Sequence, residues 1–113
     1  MNHFNEAAKN LPGNWCKGDL YDQRGNACMG GHVKNALGEA RYNPFPTAEN
    51  PYRTLWSASL ELLSNVAYEQ YPDRVRGSGG WNVADLNDAE ETTEAEAVAI
   101  LEKAAVRWDE LYG

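Results

Sequence analysis

Thr93-Glu94-Ala95-Glu96-Ala97-Val98-Ala99-Ile100-Leu101-Glu102-Lys103-Ala104-Ala105-Val106-Arg107-Trp108-Asp109-Glu110-Leu111-Tyr112 is the stretch that decides the fold class. Thr93 with Glu96 three residues later is a capping box. The hydroxyl accepts from the Glu96 amide, and the carboxylate reaches back to the amide of the cap. Beyond it Ala97, Ile100, Leu101, Ala104, Ala105, Trp108, Leu111 and Tyr112 recur at helical spacing and make one wide apolar face. The acids of the first turn suit the positive end of the helix dipole. An apolar face of that width must be covered by other elements of the chain.

Three upstream segments carry the matching pattern. Asn50-Pro51 predicts a helix start, since Asn caps and Pro fits the first helical position. Leu55, Trp56, Ser59, Leu62, Leu63, Val66, Ala67 and Tyr71 continue as a core stripe until Pro72 stops it. Residues 29–40 predict a second helix through Met29, Val33, Ala36, Leu37 and Ala40, weakened by Gly30, Gly31 and Gly38. Residues 3–10 predict a short helix through Phe4, Ala7, Ala8 and Leu11, closed by Pro12-Gly13. Residues 14–28 read as a β-hairpin: Trp15 to Tyr21 as one arm, Asp22-Gln23-Arg24-Gly25-Asn26 as the turn, and Ala27-Cys28 as a short return. Residues 72–91 read as a flexible loop around Gly77-Ser78-Gly79-Gly80. Within it Trp81 to Leu86 forms a helical turn or an extended anchor docked on the core. The expected architecture is a single domain over residues 1–113, mainly α (α+β), with about four helices packed with one N-terminal β-hairpin.

At 113 residues with 42% hydrophobic and 24% charged residues, the chain has the composition of one globular domain, not of a disordered one. No apolar run reaches membrane-spanning length. The N-terminal Met1-Asn2-His3-Phe4-Asn5-Glu6 has neither the basic nor the apolar part of a secretory signal. Two cysteines without such a signal predict free thiols and a cytoplasmic setting. The net charge of −7 is segregated. Residues 1–84 hold eight acids and eight bases, whereas residues 85–113 hold nine acids against Lys103 and Arg107. Such a face disfavours direct binding of nucleic acid and attracts basic partners.

The chemistry-bearing residues are few. Cys28 and His32 are four apart, and Cys16 can approach from the other hairpin arm, which offers a three-ligand zinc set as an alternative to a metal-free domain. The same residues offer a cysteine nucleophile with a histidine beside a glycine-rich anion nest at Met29-Gly30-Gly31. The opposing reading is two small buried thiols, with glycines that allow close packing of hairpin and helix. Asp85 and Asp88 near Asn87 are a candidate carboxylate pair, or they tie down the loop. Phosphate-loop, dinucleotide, zinc-protease and serine-hydrolase motifs are all missing from the sequence. No cofactor and no catalytic residue is therefore expected. The binding candidates are Trp15, Trp81, Asn87 and Asp88, with Glu94, Glu102 and Asp109 on the outward face of the last helix.

Trp15-Cys16-Lys17-Gly18, then Asp22 to Cys28 and the small-residue helix Gly31 to Leu37, precede Leu86-Asn87-Asp88, with Thr93 six residues after Asn87 and the helix Ala97 to Ala105. In order and spacing this resembles a family of small uncharacterised proteins of actinobacteria and their phages. Members pair a Trp-Cys hairpin with a C-terminal Asn-Asp-x4-Thr helix. The chain departs from that pattern in its glycine-rich insertion with Trp81 and in lacking Pro-Gly between Asp88 and Thr93. The resemblance implies a fold and a phage-encoded accessory protein, and assigns no activity. The expectation is a small acidic non-enzymatic binding module acting on a host protein with a basic surface. The alternatives are a small ligand-binding domain or enzyme with a pocket between the hairpin and the Asn87-Asp88 loop, a zinc-stabilised domain, and a nucleic-acid mimic. The aromatic content also fits a homodimer.

Overall fold

The computed structural model describes residues 1–76 and 82–113. Gly77-Ser78-Gly79-Gly80 and Trp81, read above as a flexible connector and a binding residue, lie outside the described residues. Among the described residues the chain forms α1 (His3–Asn10), α2 (Met29–Leu37), α3 (Leu55–Gln70), α4 (Asn82–Asp88) and α5 (Glu94–Tyr112), with 3-10 segments at Gly38–Tyr42 and Pro72–Arg74.

The α5 helix starts as its sequence dictates. Thr93 and Glu96 form the reciprocal capping box, and Ala97, Ile100, Leu101, Ala104, Ala105 and Trp108 are buried. Leu111 and Tyr112 are not part of that face: they are 60% and 49% exposed. The face is covered by α1 and α3, while α2 packs on α1 and α4 on α3. At eight residues α1 is too short to hold alone. Asn2 stabilises it from both sides. Its side-chain oxygen accepts from the Phe4 amide at 2.9 Å, and its Nδ2 donates to Ala105 O at 2.8 Å and to Asp109 Oδ1 at 2.9 Å on α5. Phe4, Ala7 and Leu11 are then fully buried.

The α3 helix begins four residues later than Asn50-Pro51 suggested. The Asn50 side chain accepts from the Tyr52 amide, making a local turn instead of a helix cap. The cap is Thr54, paired reciprocally with Ser57. Phe45 N donates to Arg53 O and Leu55 N to Asn43 O, so residues 43–55 double back against themselves. Phe45 lodges this loop on α5, 5.3 Å from the Trp108 ring and 4.9 Å from Tyr112. The α2 helix stops at Leu37, short of Ala40, because Gly38 turns to φ +56 and a 3-10 segment follows. At the far end of α3, Arg74 bonds Glu96 at 3.0 Å and lies over the Tyr71 ring, which ties the end of α3 to the start of α5. The Arg74 guanidinium beside Glu96 holds that carboxyl down at about 2.

The predicted β-hairpin is overturned. Residues 14–28 form no strand, only isolated bridges. Ala27 bridges Trp15 in the parallel sense and Tyr21 in the antiparallel sense. The return arm is two residues long, and its hydrogen bonds are divided. Ala27 N donates to Asn14 O and Cys16 N to Ala27 O, whereas Cys28 N donates to Leu20 O. The first arm therefore folds in two around Lys17-Gly18-Asp19, and both halves meet the same two residues. Asp22 closes the remaining turn by accepting from the amides of Arg24 and Asn26. Among the described residues the regular structure is thus all α, with a compact irregular loop where the hairpin was expected.

That loop rests directly on α2. A Cβ on Gly31 would lie 2.6 Å from Leu20 O and 2.9 Å from the Ala27 Cβ. Both obstacles are inflexible, so Gly31→Ala is expected to cost about 2–3 kcal/mol in denaturant unfolding despite its better helix propensity. An unchanged midpoint would show that the loop is not seated on α2.

His3 offers a second check. Its Nε2 is 2.9 Å from Ser59 Oγ. That hydroxyl donates to Leu55 O at 2.7 Å, so the ring must donate. Burial between α1, α3 and Trp108 lowers the His3 pKa from 6.5 to about 4, with Asp109 opposing. The unfolded chain therefore binds a proton that the folded chain refuses between those values. Stability contributed by neutral His3 is complete above pH 6.5 and is lost as pH falls through 4. Allowing for solvent at the partly exposed ring, the loss is about 1–2 kcal/mol. His3→Gln should remove that part of the pH dependence, as followed by thermal unfolding at stepped pH. An identical slope in both proteins would contradict it.

Candidate functional site

Asn87, on the last turn of α4, is 1% exposed and uses both ends of its carboxamide. Its Oδ1 accepts from Trp15 Nε1 at 2.7 Å and from the Met29 amide at 2.9 Å. Its Nδ2 donates to Cys16 O at 3.0 Å and to Asp88 Oδ1 at 3.0 Å. One side chain thus joins α4, two points of the 14–28 loop and the first residue of α2, with its hydrogen-bonding capacity filled. Asp88 continues the clamp by accepting from the Gly18 amide at 2.8 Å. Lys17 lies over the Trp15 ring and donates to Ala89 O and Glu90 O.

This clamp leaves a cleft of about 390 Å³ between the loop and helices α2, α3 and α4. Trp56, Leu60, Leu20, Val83 and Ala84 make it mainly apolar, and Gly18, Asp19, Cys28, Asn87 and Asp88 complete the lining. Asp19 and Asp88 are exposed and stand at its mouth. Gly30 also lines it. A Cβ there would meet Leu60 Cδ2 at 3.5 Å, Cys28 Sγ at 3.8 Å and Trp56 Cη2 at 4.0 Å, all ordinary contacts. A second depression of about 240 Å³, along α3 and beside the C-terminal part of α5, is lined by the ion pairs Arg53–Glu61 and Arg107–Glu69. Its charges are already neutralised within the chain, so the cleft is the better candidate.

The sequence-derived candidates divide. Trp15, Asn87 and Asp88 come together, joined by Cys16 and Cys28. Asn87 is a buried clamp instead of an exposed binder. Glu94 and Asp109 are on α5 and tie it to the N-terminal region: Glu94 accepts from the Gly13 amide at 3.1 Å, and Asp109 from Asn2. Glu102 is exposed, without a partner role in the clamp. Asp85 accepts from the Arg76 amide at 3.1 Å and Asp88 from Gly18. The two carboxylates therefore serve separate backbone segments.

The zinc set does not assemble. His32 is buried, and its Nε2 is 2.8 Å from Asn14 O, so it donates to that carbonyl. Among the described residues no group of three or more His, Cys, Asp or Glu is arranged to hold a metal ion. The anion nest at Met29-Gly30-Gly31 is occupied from within. Asn87 Oδ1 takes the Met29 amide, and Cys28 Sγ takes the Gly31 amide at 3.3 Å. Burial pushes the Cys28 thiol up. Cys16 is pushed up by burial, then by Asp22, Cys28 and Asp19. Neither thiol has the lowered pKa of a catalytic cysteine, although either can still exchange with a disulfide through its minor thiolate form.

Leu20, Gly30, Trp56 and Leu60 are the cleft residues that sequence reasoning missed. Trp56 was assigned to the core stripe, but it and Leu60, four residues on, form a second face beside Leu62, Leu63 and Val66. A stripe too wide for one seam was the available signal.

The fold and its cleft define a small α-helical domain in which an irregular loop, clamped by a buried amide, forms one wall of an apolar pocket. The chain belongs to DUF6197, a family of unknown function whose match covers residues 2–107. No curated protein and no solved structure matches it. Among the described residues no helix is long and apolar enough to cross a membrane.

Asn87→Ala would strand the Met29 amide and the Cys16 carbonyl in the interior. The expected loss is about 3 kcal/mol or more in denaturant unfolding. Asn87→Asp should fare no better, since it sets an oxygen against Cys16 O and the Asp88 carboxylate. A loss below about 1 kcal/mol for both would show that the clamp is dispensable.

Proposed function

We propose that the protein is a non-enzymatic binding module whose cleft receives an apolar side chain from a partner protein, with a neighbouring Lys or Arg of that partner at Asp19 and Asp88. The cleft carries the reading: an apolar pocket with a small acidic mouth, lined by Gly30 between Leu60, Cys28 and Trp56. Apolar anchors seated in pockets supply most of the energy in such contacts, and rim charges supply orientation and rate. The exposed acids Asp88, Glu90 and Glu91 stand together at the end of α4 and just beyond it, and favour a basic partner. Two free thiols support a reducing, cytoplasmic setting. The resemblance to actinobacterial and actinophage proteins makes a phage-encoded accessory protein acting on a host protein the corresponding biological form. A second reading, a small-molecule site, is favoured by the cleft volume of about 390 Å³, which lies in the usual range for such sites.

Gly30→Leu provides the test, because Gly30 lines the cleft and a Cβ there makes only ordinary contacts with Leu60, Cys28 and Trp56, so the added side chain is expected to fill cleft space. Peptides selected from a random displayed library on the native protein should carry an apolar residue beside Lys or Arg. Gly30→Leu should weaken them by about tenfold or more, and Asp19→Asn should weaken them and flatten their salt dependence. Equal binding to native and Gly30→Leu proteins would overturn the cleft as the docking site. Enrichment of neutral peptides that ignore Asp19→Asn would overturn the basic partner. Binding of small organic fragments in the cleft, with no peptide enriched, would favour the second reading.

A further inference from the structure

Ala27 pairs with Trp15 in the parallel sense through Ala27 N to Asn14 O at 2.9 Å and Cys16 N to Ala27 O at 3.1 Å. Cys16 and Cys28 each adjoin that bridge. Cys16 Sγ donates to Asp19 O at 3.6 Å and Cys28 N to Leu20 O at 3.1 Å, so the two cysteines sit against consecutive residues of the loop. A disulfide spans roughly 4.4–6.8 Å between Cα atoms. Both cysteines are free, and Cys28 is among the groups that raise the Cys16 pKa, as expected of adjacent thiols.

We propose that Cys16 and Cys28 are a modification site: a dithiol that closes to an intramolecular disulfide by exchange with a low-molecular-weight disulfide. The Cys16 thiolate, on the more open residue, attacks one sulfur of the reagent and releases one reagent thiol. The Cys28 thiolate then attacks the Cys16 sulfur of the mixed disulfide and releases the second. Two protein thiols are oxidised, and the electron pair and both protons leave on two reagent thiols. Closure ties the start of the 14–28 loop to its end. It also draws Cys28 Sγ from the Gly31 amide, which it accepts at 3.3 Å in the dithiol form. Because Cys28 also lines the cleft, the bond alters the wall of the proposed docking site. This last consequence rests on that reading, whereas the disulfide does not.

The test treats the native protein with oxidised glutathione, quenches with an alkylating reagent and reads intact mass. The expected product is lighter by two hydrogens and takes up no alkyl group. Cys28→Ser should instead retain one glutathione. Preorganisation should make closure at least about tenfold faster in native protein than in denaturant. A persistent glutathione adduct on native protein with Cys28 still alkylatable would overturn the proposal, as would closure only after unfolding. Neither outcome depends on peptide binding, so failure here leaves the cleft untouched and the reverse also holds.

Discussion

The carboxamide of Asn87 is the interaction on which the rest depends. The 14–28 loop has no ladder of its own, and its backbone polar groups need partners that a hairpin would have supplied. Asn87 supplies one from α4 by giving to Cys16 O, and the same side chain takes the indole of Trp15 and the Met29 amide. The same contact fixes where α2 begins, so the loop, α2 and α4 are positioned by one buried group. Because all its capacity is used, replacement by any residue with less capacity leaves a buried group unpaired.

The cleft follows from that constraint. Clamping holds Leu20 and Asp19 off α3 across a space bounded by Trp56 and Leu60. Two adjacent glycines divide the work. Gly31 lets α2 meet the loop backbone, and Gly30 lines the cleft between Leu60, Cys28 and Trp56. The acids that give the chain its charge split likewise. Glu94, Glu96 and Asp109 are engaged in holding α5 to its neighbours, whereas Asp19 and Asp88 are exposed at the cleft, with one oxygen of Asp88 held by Gly18 and Asn87.

Much of the helical frame was legible in the sequence. The α5 capping box, the start of α2 and the whole of α1 follow from local chemistry, and the buried faces follow from helical spacing. What was not legible depends on tertiary hydrogen bonds. The 14–28 segment carries strand-like composition and turn residues, yet Ala27-Cys28 is too short to pair along a full arm. Asn50-Pro51 has cap chemistry, but the return of residues 43–55 places the cap at Thr54. Asn87 reads from the sequence as a loop residue and binding candidate, whereas it stands on α4. Its role as a clamp needed the geometry of three elements to be seen. Trp56 reads as core and Leu60 falls outside the stripe, because periodicity shows that a face is apolar, not whether another element covers it.

Native-state amide hydrogen exchange of the 14–28 loop tests the clamp most directly. The Cys16, Gly18, Ala27, Cys28 and Met29 amides should be protected to nearly the level of α5, and in native protein should exchange only with opening of the α4 contact. Rapid exchange of these amides while α5 stays protected would show that Asn87 does not hold the loop, and the cleft it walls would lose its physical basis.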